Sequence, residues 1–574
     1  MPIHNTDIAA VFDEIADYLE IEGDNPFRIR AYRNAARTVR GLGPELRDLV
    51  DQKEDLHQLP GIGKELAAKI VEILETGTAR ALKKLQDRHP QTLRELLKIP
   101  NLGPKRVRVL YQDLKIQTLD QLIEAAKHGR VSALPGFGAK TEKQIMQAAE
   151  AHVTKEKRFK ISDVKPHVDS LTKYLEEVPG VDYVVVAGSY RRAKETVGDL
   201  DFLIVARKNS PAMDRFVDYK DVKEVLSKGT TRSSIVLRMG LQVDLRLVEQ
   251  ASFGAALQYF TGSQAHNIAI RRLGQQRGLK INEYGVFKFE KRVAGKTEAS
   301  VYRTVDLPYI PPELRENRGE IEAARDGRLP KLIDLSDLKG DLHVHTDYTD
   351  GRNSLREMAL AAKQLGYEYM AVTEHSARLK IAAGLDAPKL LKQMEEVDRL
   401  NEQLKGITIL KGIEVEILED GRLDLADNVL AKLDLVVGTI HQQFGLSIQK
   451  QTERILRAMD HPHFTFLAHP TGRLINEREP YEVDMVQVIH KARQRRCYLE
   501  LNANPKRLDL YDTYCQMAKA EGVLVAINSD AHTVNALNHI RLGVGQARRG
   551  WLEKDDVLNT RPLKELQKLL KQTM

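Results

Sequence analysis

The chain has 574 residues, 42% hydrophobic and 29% charged, the balance of a soluble globular protein with room for several cored domains. A formal net charge of +7 permits a polyanionic partner without requiring one. Two cysteines, Cys497 and Cys515, have no metal-type spacing and exclude a disulfide framework, so both are expected to be buried thiols in a reducing compartment. The N-terminus is acidic and helical in period (Ile8, Phe12, Ile15, Leu19), and no apolar run is long enough to span a bilayer; a cytoplasmic protein is expected.

Up to about residue 155 the apolar positions recur with helical period, broken by short Gly- and Pro-containing stretches. Three breaks share a pattern: Leu59-Pro60-Gly61-Ile62-Gly63-Lys64, Ile99-Pro100-Asn101-Leu102-Gly103-Pro104-Lys105 and Leu134-Pro135-Gly136-Phe137-Gly138-Ala139-Lys140. Gly61, Gly63, Gly103, Gly136 and Gly138 let a nucleic-acid backbone come close, and the N–H groups opening each following helix can bind its phosphates. A single such turn reads as a plain helix connection. Three in one region predict helix-hairpin-helix units that bind DNA without sequence preference. Asn101 replaces the first glycine of the middle copy, a position where Asn tolerates left-handed backbone. Lys69, beside Leu66, Ile70 and Ile73, reads on its own as a solvated lysine of an amphipathic helix.

From about Tyr183 to Val248 the texture becomes that of short strands. The run Val184-Val185-Val186-Ala187 leads into Gly188-Ser189-Tyr190-Arg191-Arg192, and then Gly198-Asp199-Leu200-Asp201 enters Phe202-Leu203-Ile204-Val205. Asp199 and Asp201, two apart on a strand, project to one face and can serve the same pair of divalent ions. Gly188 leaves backbone N–H groups open to phosphate, Ser189 adds a donor, and Arg192 supplies a forked cation. Leu241 to Leu247 alternates, putting Asp244 on the face opposite Val243, Leu245 and Leu247; it is either decoration of an edge strand or the third carboxylate of the site. Tyr259-Phe260-Thr261-Gly262-Ser263 follows, then a helix with Asn267 and Arg271 on one face.

These motifs together resemble a family X DNA polymerase over the segment up to about residue 315. The resemblance implies that Gly188, Ser189 and Arg192, assisted by Arg158, bind the incoming triphosphate, and that Asp199, Asp201 and Asp244 are the metal triad. It implies that Tyr259, Phe260 and Gly262 pack against the sugar, and that Asn267 and Arg271 read the minor-groove side of the nascent pair. Lys69 falls at the Schiff-base lysine of the family's lyase domain, with Tyr32 as a neighbouring aromatic. Three positions depart from the family: Gln242 where it has an Arg near the metals, Gln264 where it has an Asp near the base, and Glu65 where it has a Lys in the lyase pocket.

From about Val305 to Gly340, Pro308, Pro311, Pro312 and Pro330 flank the charged helix-like stretch Glu313 to Arg328, which reads as an interdomain connection packed in places, with the linker at 318–338. Beyond it, strand and helix alternate seven times, which suggests a barrel with functional residues at the strands' C-terminal ends. Ligand-type residues lie there: His343 and His345 with Asp350, then His375, Glu414, His441, His469, Asp530 and His532. A His-x-His on a strand aims both imidazoles at one metal, and clustering of six histidines with three acids argues against ordinary structural histidines. The set resembles the PHP (polymerase and histidinol phosphatase) domain, with up to three metals and His345 in the catalytic set. Glu374, where that family usually has Asp, is assigned a supporting role.

The expectation is therefore a multidomain enzyme: helix-hairpin-helix regions at 1–88 (lyase-like) and 89–155 (fingers-like), an α+β nucleotidyltransferase palm at 156–248, a nucleotide-selecting thumb at 249–317, the linker, and a distorted (β/α)7 PHP barrel at 339–574. The resemblance implies gap-filling DNA synthesis in base-excision-type repair with two Mg²⁺ or Mn²⁺ and deoxynucleoside triphosphates. It also implies 3′-5′ exonuclease action in the barrel with Zn²⁺, Mn²⁺ or Fe²⁺, and raises lyase, AP endonuclease and 3′-end phosphoesterase activities. Gapped or nicked duplex DNA is the expected partner of a monomer that uses no membrane. The alternatives are a polymerase fused to a small-molecule phosphatase or to a structural barrel, a binding protein with inactive sites, and a transferase acting on RNA or a small acceptor.

Overall fold

The computed structural model describes residues 5–41, 46–51, 53–90, 92–99, 102–156, 158–207 and 210–573. The chain forms two compact units, Met1–Lys157 and Arg158–Met574.

The first unit is helical. Helices α1 (Asn5–Glu22), α2 (Pro26–Gly41) and α3 (Lys64–Thr76) bury Ile8, Phe12, Ile15, Tyr32, Ile70 and Ile73 in one cluster. Helix α4 (Pro104–Leu114) contributes Val107 and Leu110 to a second, in which Ile145 of α5 (Ala139–Glu156) also packs. Gly61 and Gly136 have φ of 77° and 83°, the left-handed turns the sequence pattern requires. Gly63 and Gly103 stand immediately before the first turns of α3 and α4, and a Cβ built on Gly63, Gly103, Gly136 or Gly138 would meet nothing within 4 Å. These turns are therefore open at the surface. Pro100 and Asn101 of the middle turn lie outside the described residues.

The second unit opens with a five-stranded sheet, β1 (Val181–Val186), β2 (Asp199–Ala206), β3 (Val222–Lys228), β4 (Arg232–Leu237) and β5 (Gln242–Leu247), in the order β1-β2-β5-β4-β3. Only the β2–β5 pair is parallel. Helices α6 (Phe253–Thr261) and α7 (Gln264–Gln276) and a small antiparallel sheet, β6 (Leu279–Asn282), β7 (Gly285–Lys288) and β8 (Lys291–Ala294), follow. The expected connection at 318–338 is packed: Ile321 and Ala324 of the turn of helix Glu320–Arg325 are buried in one cluster with Val301, Tyr302 and Leu314, and Trp551 of the C-terminal region packs against it.

Seven parallel strands make the barrel in sequence order: β9 (Gly340–Val344), β10 (Tyr369–Val372), β11 (Thr408–Glu416), β12 (Leu435–Thr439), β13 (Phe466–Leu467), β14 (Tyr498–Asn502) and β15 (Val525–Asn528). A parallel bridge from Val344 to Ala531 brings the last strand to the first, which nearly closes the ring. Strands β9, β10, β12, β14 and β15 are buried at every position, as expected of parallel strands covered on both faces. Cys497 and Cys515 are buried free thiols. Among the described residues no helix is long and apolar enough to cross a membrane.

Candidate active sites

In the palm sheet, the parallel register sets Asp201 beside Asp244 and Asp199 beside Gln242. Asp201 is pushed up to about 7, first by burial and then by the charges of Asp199 and Asp244. A site that holds three carboxylates this way is short of positive charge. Asp244 has partners of its own: its Oδ2 accepts from Arg232 Nη2 at 2.9 Å and its Oδ1 from Gln242 Nε2 at 3.2 Å. Burial works against ionisation of Asp244, but hydrogen bonds from Ser234, Gln242 and Arg232 outweigh it and lower its pKa.

Above these acids lies the turn Gly188–Arg191. Gly188 has φ 63°, and a Cβ there would come within 3.0 Å of Asp201 Oδ2, so only glycine lets the turn and the carboxylate share this space. Arg191, which the sequence reading passed over in favour of its neighbour, grips Glu298 through Nη1 and Nη2 at 2.9 and 2.7 Å and Thr261 Oγ1 at 2.7 Å. Arg192 donates from Nε to Glu316 at 3.0 Å and from Nη1 to the Thr261 carbonyl. Tyr259 and Phe260 end α6 with ring centroids 5.2 Å apart, and Arg246 stacks 4.3 Å over Phe260. Gly262 has φ 71°, and a Cβ there would lie 3.1 Å from Arg192 Nη1.

The barrel site is tighter. Three groups of ligand-type atoms lie mutually within 4.8 Å: His345, Asp350, His375 and His532; His343, His345 and Asp530; His375, Glu414 and His441. Among the described residues these are the only such groups, and Asp199, Asp201 and Asp244 do not form one. His469 is outside the three, although its Nε2 is 3.0 Å from Glu414 Oε1. His343 Nε2, both ring nitrogens of His345 and His469 Nδ1 are buried without a hydrogen-bond partner, and His375 Nδ1 lies 2.6 Å from Glu414 Oε2. Orphaned lone pairs on convergent imidazoles around a buried carboxylate are what a divalent cation satisfies, so the residues fit a metal centre. Burial, then His532 and His375, lowers His345 to about 3; for His375, burial is outweighed by Glu414 and Asp350, which raise it to about 10.

Carboxylates behind the ligands orient them. Glu500 Oε1 lies 2.7 Å from His343 Nδ1, and its Oε2 accepts the His469 N–H at 2.8 Å. Glu416 does the same for His441 at 3.1 Å and is backed by Arg454 at 3.5 Å. Glu374, raised to about 7 by burial, accepts from Thr346 N–H at 3.0 Å and belongs to none of the three groups.

Family profiles match as a helix-hairpin-helix domain at residues 3–79, a SAM-like helix-hairpin-helix tandem at 93–151, a DNA polymerase beta thumb at 256–316 and a PHP domain at 341–504. The DNA polymerase/3′-5′ exonuclease PolX of Bacillus subtilis (strain 168) is 39% identical over 573 residues, 99% of this chain and 100% of the relative. The chain belongs to the family X DNA polymerases that carry a C-terminal PHP domain. Part of the chain also matches probable phosphatases of Thermoanaerobacter sp. (strain X514), 27% identical over 38% of this chain and 89% of the relative, and of Clostridium novyi (strain NT), 25% identical over 33% and 78%.

For a family X polymerase, several expected residues are already engaged. Arg158 is bound to Thr196 through Nε at 2.8 Å and Nη2 at 2.6 Å. Asn267, nearly buried, donates to the Tyr259 carbonyl at 2.7 Å and accepts from Gln258 at 2.8 Å, which locks α7 to α6, while Arg271 and Gln264 are exposed. In the first unit, Lys69 Nζ is 2.5 Å from Glu65, with the Tyr32 ring 5.9 Å away. A cleft of about 550 Å³ beside it is lined by Arg28, Arg80, Lys84 and Arg88.

Proposed function

We propose that this chain is a DNA-directed DNA polymerase that fills short gaps in base-excision-type repair, and that its barrel is a 3′-5′ exonuclease trimming the same DNA. On this reading 1–88 and 89–155 grip the duplex through their glycine turns, 156–248 is the palm, 249–317 selects the nucleotide and 339–574 hydrolyses. The observation that carries the polymerase half is Asp201 beside Asp244 in the parallel register, with the glycine turn that opens at Gly188 packed against Asp201.

When bound at Asp199, Asp201 and Asp244, Mg²⁺ or Mn²⁺ would activate the primer hydroxyl and neutralise the leaving pyrophosphate. The rest is the work of the chain. Gly188 keeps the turn clear for phosphate, Ser189 and the turn's N–H groups donate to it, and Arg192 offers its fork. Tyr259 and Phe260 wall the sugar, and Gly262 admits the Arg192 guanidinium beside them. Asn267 and Arg271 on α7 face the nascent pair. In the barrel, Zn²⁺, Mn²⁺ or Fe²⁺ held by His343, His345, Asp350, His375, Glu414, His441, His469, Asp530 and His532 would activate a hydrolytic water. Glu500 and Glu416 fix the rings of His343 and His441, and Arg507, 3.7 Å from Asp530, adds positive charge where a phosphodiester docks. The same centre is suited to a phosphodiester at an abasic site or to a 3′-phosphate end.

The test is a labelled primer on gapped DNA with Mg²⁺ and nucleotides. Asp201→Ala is expected to abolish incorporation while gapped-DNA binding stays measurable; normal incorporation by this variant rules the polymerase site out. A second reading, a barrel that hydrolyses small phosphomonoesters, is favoured by the chain's partial match to the probable phosphatases. It predicts rapid release of phosphate from a free monoester and intact DNA 3′ ends. For Lys69 as a Schiff-base former on a 5′-deoxyribose phosphate, the supporting observation is the basic cleft beside it; Glu65, which holds the ammonium, opposes it. Borohydride trapping that is absent, or unchanged in Lys69→Ala, ends that role.

A further inference from the structure

The two halves of the second unit meet at the nucleotide-binding turn. Arg549, the last residue of α8 (Ile540–Arg549) in the barrel half, donates from Nη1 to the Arg192 carbonyl at 2.9 Å and to Glu316 Oε1 at 2.9 Å. That same oxygen accepts from Arg192 Nε at 3.0 Å. One carboxylate thus lies between the arginine assigned to the triphosphate and an arginine of the barrel half. All three are shielded: 12% of the Arg192 side chain, 12% of Glu316 and 5% of Arg549 are exposed. Asp512 fixes Arg549 from behind through Nη2 at 2.7 Å and also takes Arg318 at 2.9 Å.

The turn itself is under strain. Ala193 has φ 53°, left-handed backbone that a residue with a Cβ adopts at a cost, and Gly545 of α8 is the position that makes room, since a Cβ there would stand 3.3 Å from the Ala193 Cβ. Two residues on, Glu195 is clamped by Arg473 of the barrel half at 3.1 and 2.6 Å. The turn after Ser189 is therefore held on its Arg192 carbonyl and its Glu195 carboxylate by residues more than two hundred positions away.

We propose that Arg549 is a positioning residue of the polymerase reaction: it shares Glu316 with Arg192 and holds the Arg192 carbonyl, so that Arg192 can be handed from Glu316 to the incoming triphosphate. In the free protein Glu316 stands in for phosphate oxygens. When a triphosphate arrives, Arg192 exchanges one set of anionic oxygens for another, and Glu316 keeps a cation in Arg549 and is not left buried and unpaired. The barrel is thereby part of the nucleotide site although it holds none of its phosphates. This inference rests on the assignment of Arg192 to the triphosphate made above.

The two ends of the network should move the nucleotide KM in opposite directions, which simple loss of structure would not do. In the full-length protein, steady-state gap filling is measured against dNTP concentration for Arg549→Ala, Arg549→Lys, Glu316→Gln and Arg192→Ala, with 3′ shortening of the same DNA as an internal control. Arg549→Ala, which leaves Glu316 to Arg192 alone and frees the turn's carbonyl, is expected to raise KM about tenfold with kcat little changed. Arg549→Lys, which keeps the cation but not the fork, is expected to recover part of that loss. Glu316→Gln, which removes the charge that competes for Arg192, is expected to lower KM about threefold. Exonuclease activity should be unchanged in these three. Should Arg549→Ala fail to fold, the opposite shifts of Arg549→Lys and Glu316→Gln carry the test. KM unmoved, or moved upward by both substitutions, overturns the handover. An unchanged KM in Arg192→Ala overturns the assignment of Arg192 itself.

Discussion

In the barrel, His345 ends a buried strand with both ring nitrogens unpaired, whereas in the palm every oxygen of Asp244 already has a protein partner. The barrel gathers eight of its ligand-type residues into three groups, each with its atoms within 4.8 Å of one another; the palm leaves three acids on a sheet face with one, Asp201, pushed up to about 7. The difference teaches how each site comes to readiness. Rigid parallel strands hold the barrel's ligands in place and leave their electrostatic debt for resident cations. The palm keeps Asp244 and Arg192 occupied by local partners, and on the proposed function substrate takes the place of Arg192's partners during each turnover.

If the barrel is a prebuilt centre, its most connected ligand should matter most. Glu414 lies within 4 Å of nitrogens of His343, His345, His375, His441 and His469. Glu414→Ala is expected to cost at least about a thousandfold in 3′ shortening and to strip bound metal, read by elemental analysis of the purified protein. Asp350, at the rim and 38% exposed, approaches only His375 and His532, so Asp350→Ala is expected to cost about tenfold to a hundredfold and to lose part of the metal. Equal losses in the two variants would mean that the centre is not built around Glu414.

Chelation separates the sites in another way. Removing divalent ions is expected to lower the unfolding temperature by roughly 5 °C, because buried lone pairs lose their cation, and Mn²⁺ should restore it. Asp201→Ala should show the same shift and Glu414→Ala should not. The smallest effect belongs to Arg232, which is half exposed and so well screened: Arg232→Ala is expected to reduce the primer-extension kcat about fivefold or less by loosening Asp244. No change in kcat would leave Asp244 positioned by Gln242 and Ser234 alone.

Much of this was legible in the sequence, for a physical reason. Parallel barrel strands end at the functional face, so His343, His375, Glu414, His441, His469 and Asp530 announce themselves one strand at a time, and the seven-stranded ring follows from their alternation with helices. The alternation in Leu241 to Leu247 likewise put Asp244 on the face that pairing with β2 then brought beside Asp201. What escaped is of two kinds. Glu416 carried a signal that went unused: two residues after Glu414 on one strand, it shares that face. Glu500 on strand β14, Glu298, Glu316 and Arg549 are each defined by a partner far along the chain, and a charged residue on a helix, such as Arg549, looks the same whether it meets water or Glu316. The connection at 318–338 was legible as a partly packed, helix-like stretch, but which core its short apolar positions Ile321 and Ala324 join is defined only once Tyr302 and Trp551 are folded against it.

On the proposed function, one chain holds two independent reaction centres acting on the same DNA end. The most direct measurement follows one labelled primer on gapped duplex DNA, with Mg²⁺ and Mn²⁺, with and without nucleotides, in the wild-type, Asp201→Ala and His345→Ala proteins. Asp201→Ala should shorten the primer and never extend it, and His345→Ala should extend it without shortening. Shortening that disappears in Asp201→Ala and survives in His345→Ala would contradict the claim and put the nuclease in the palm.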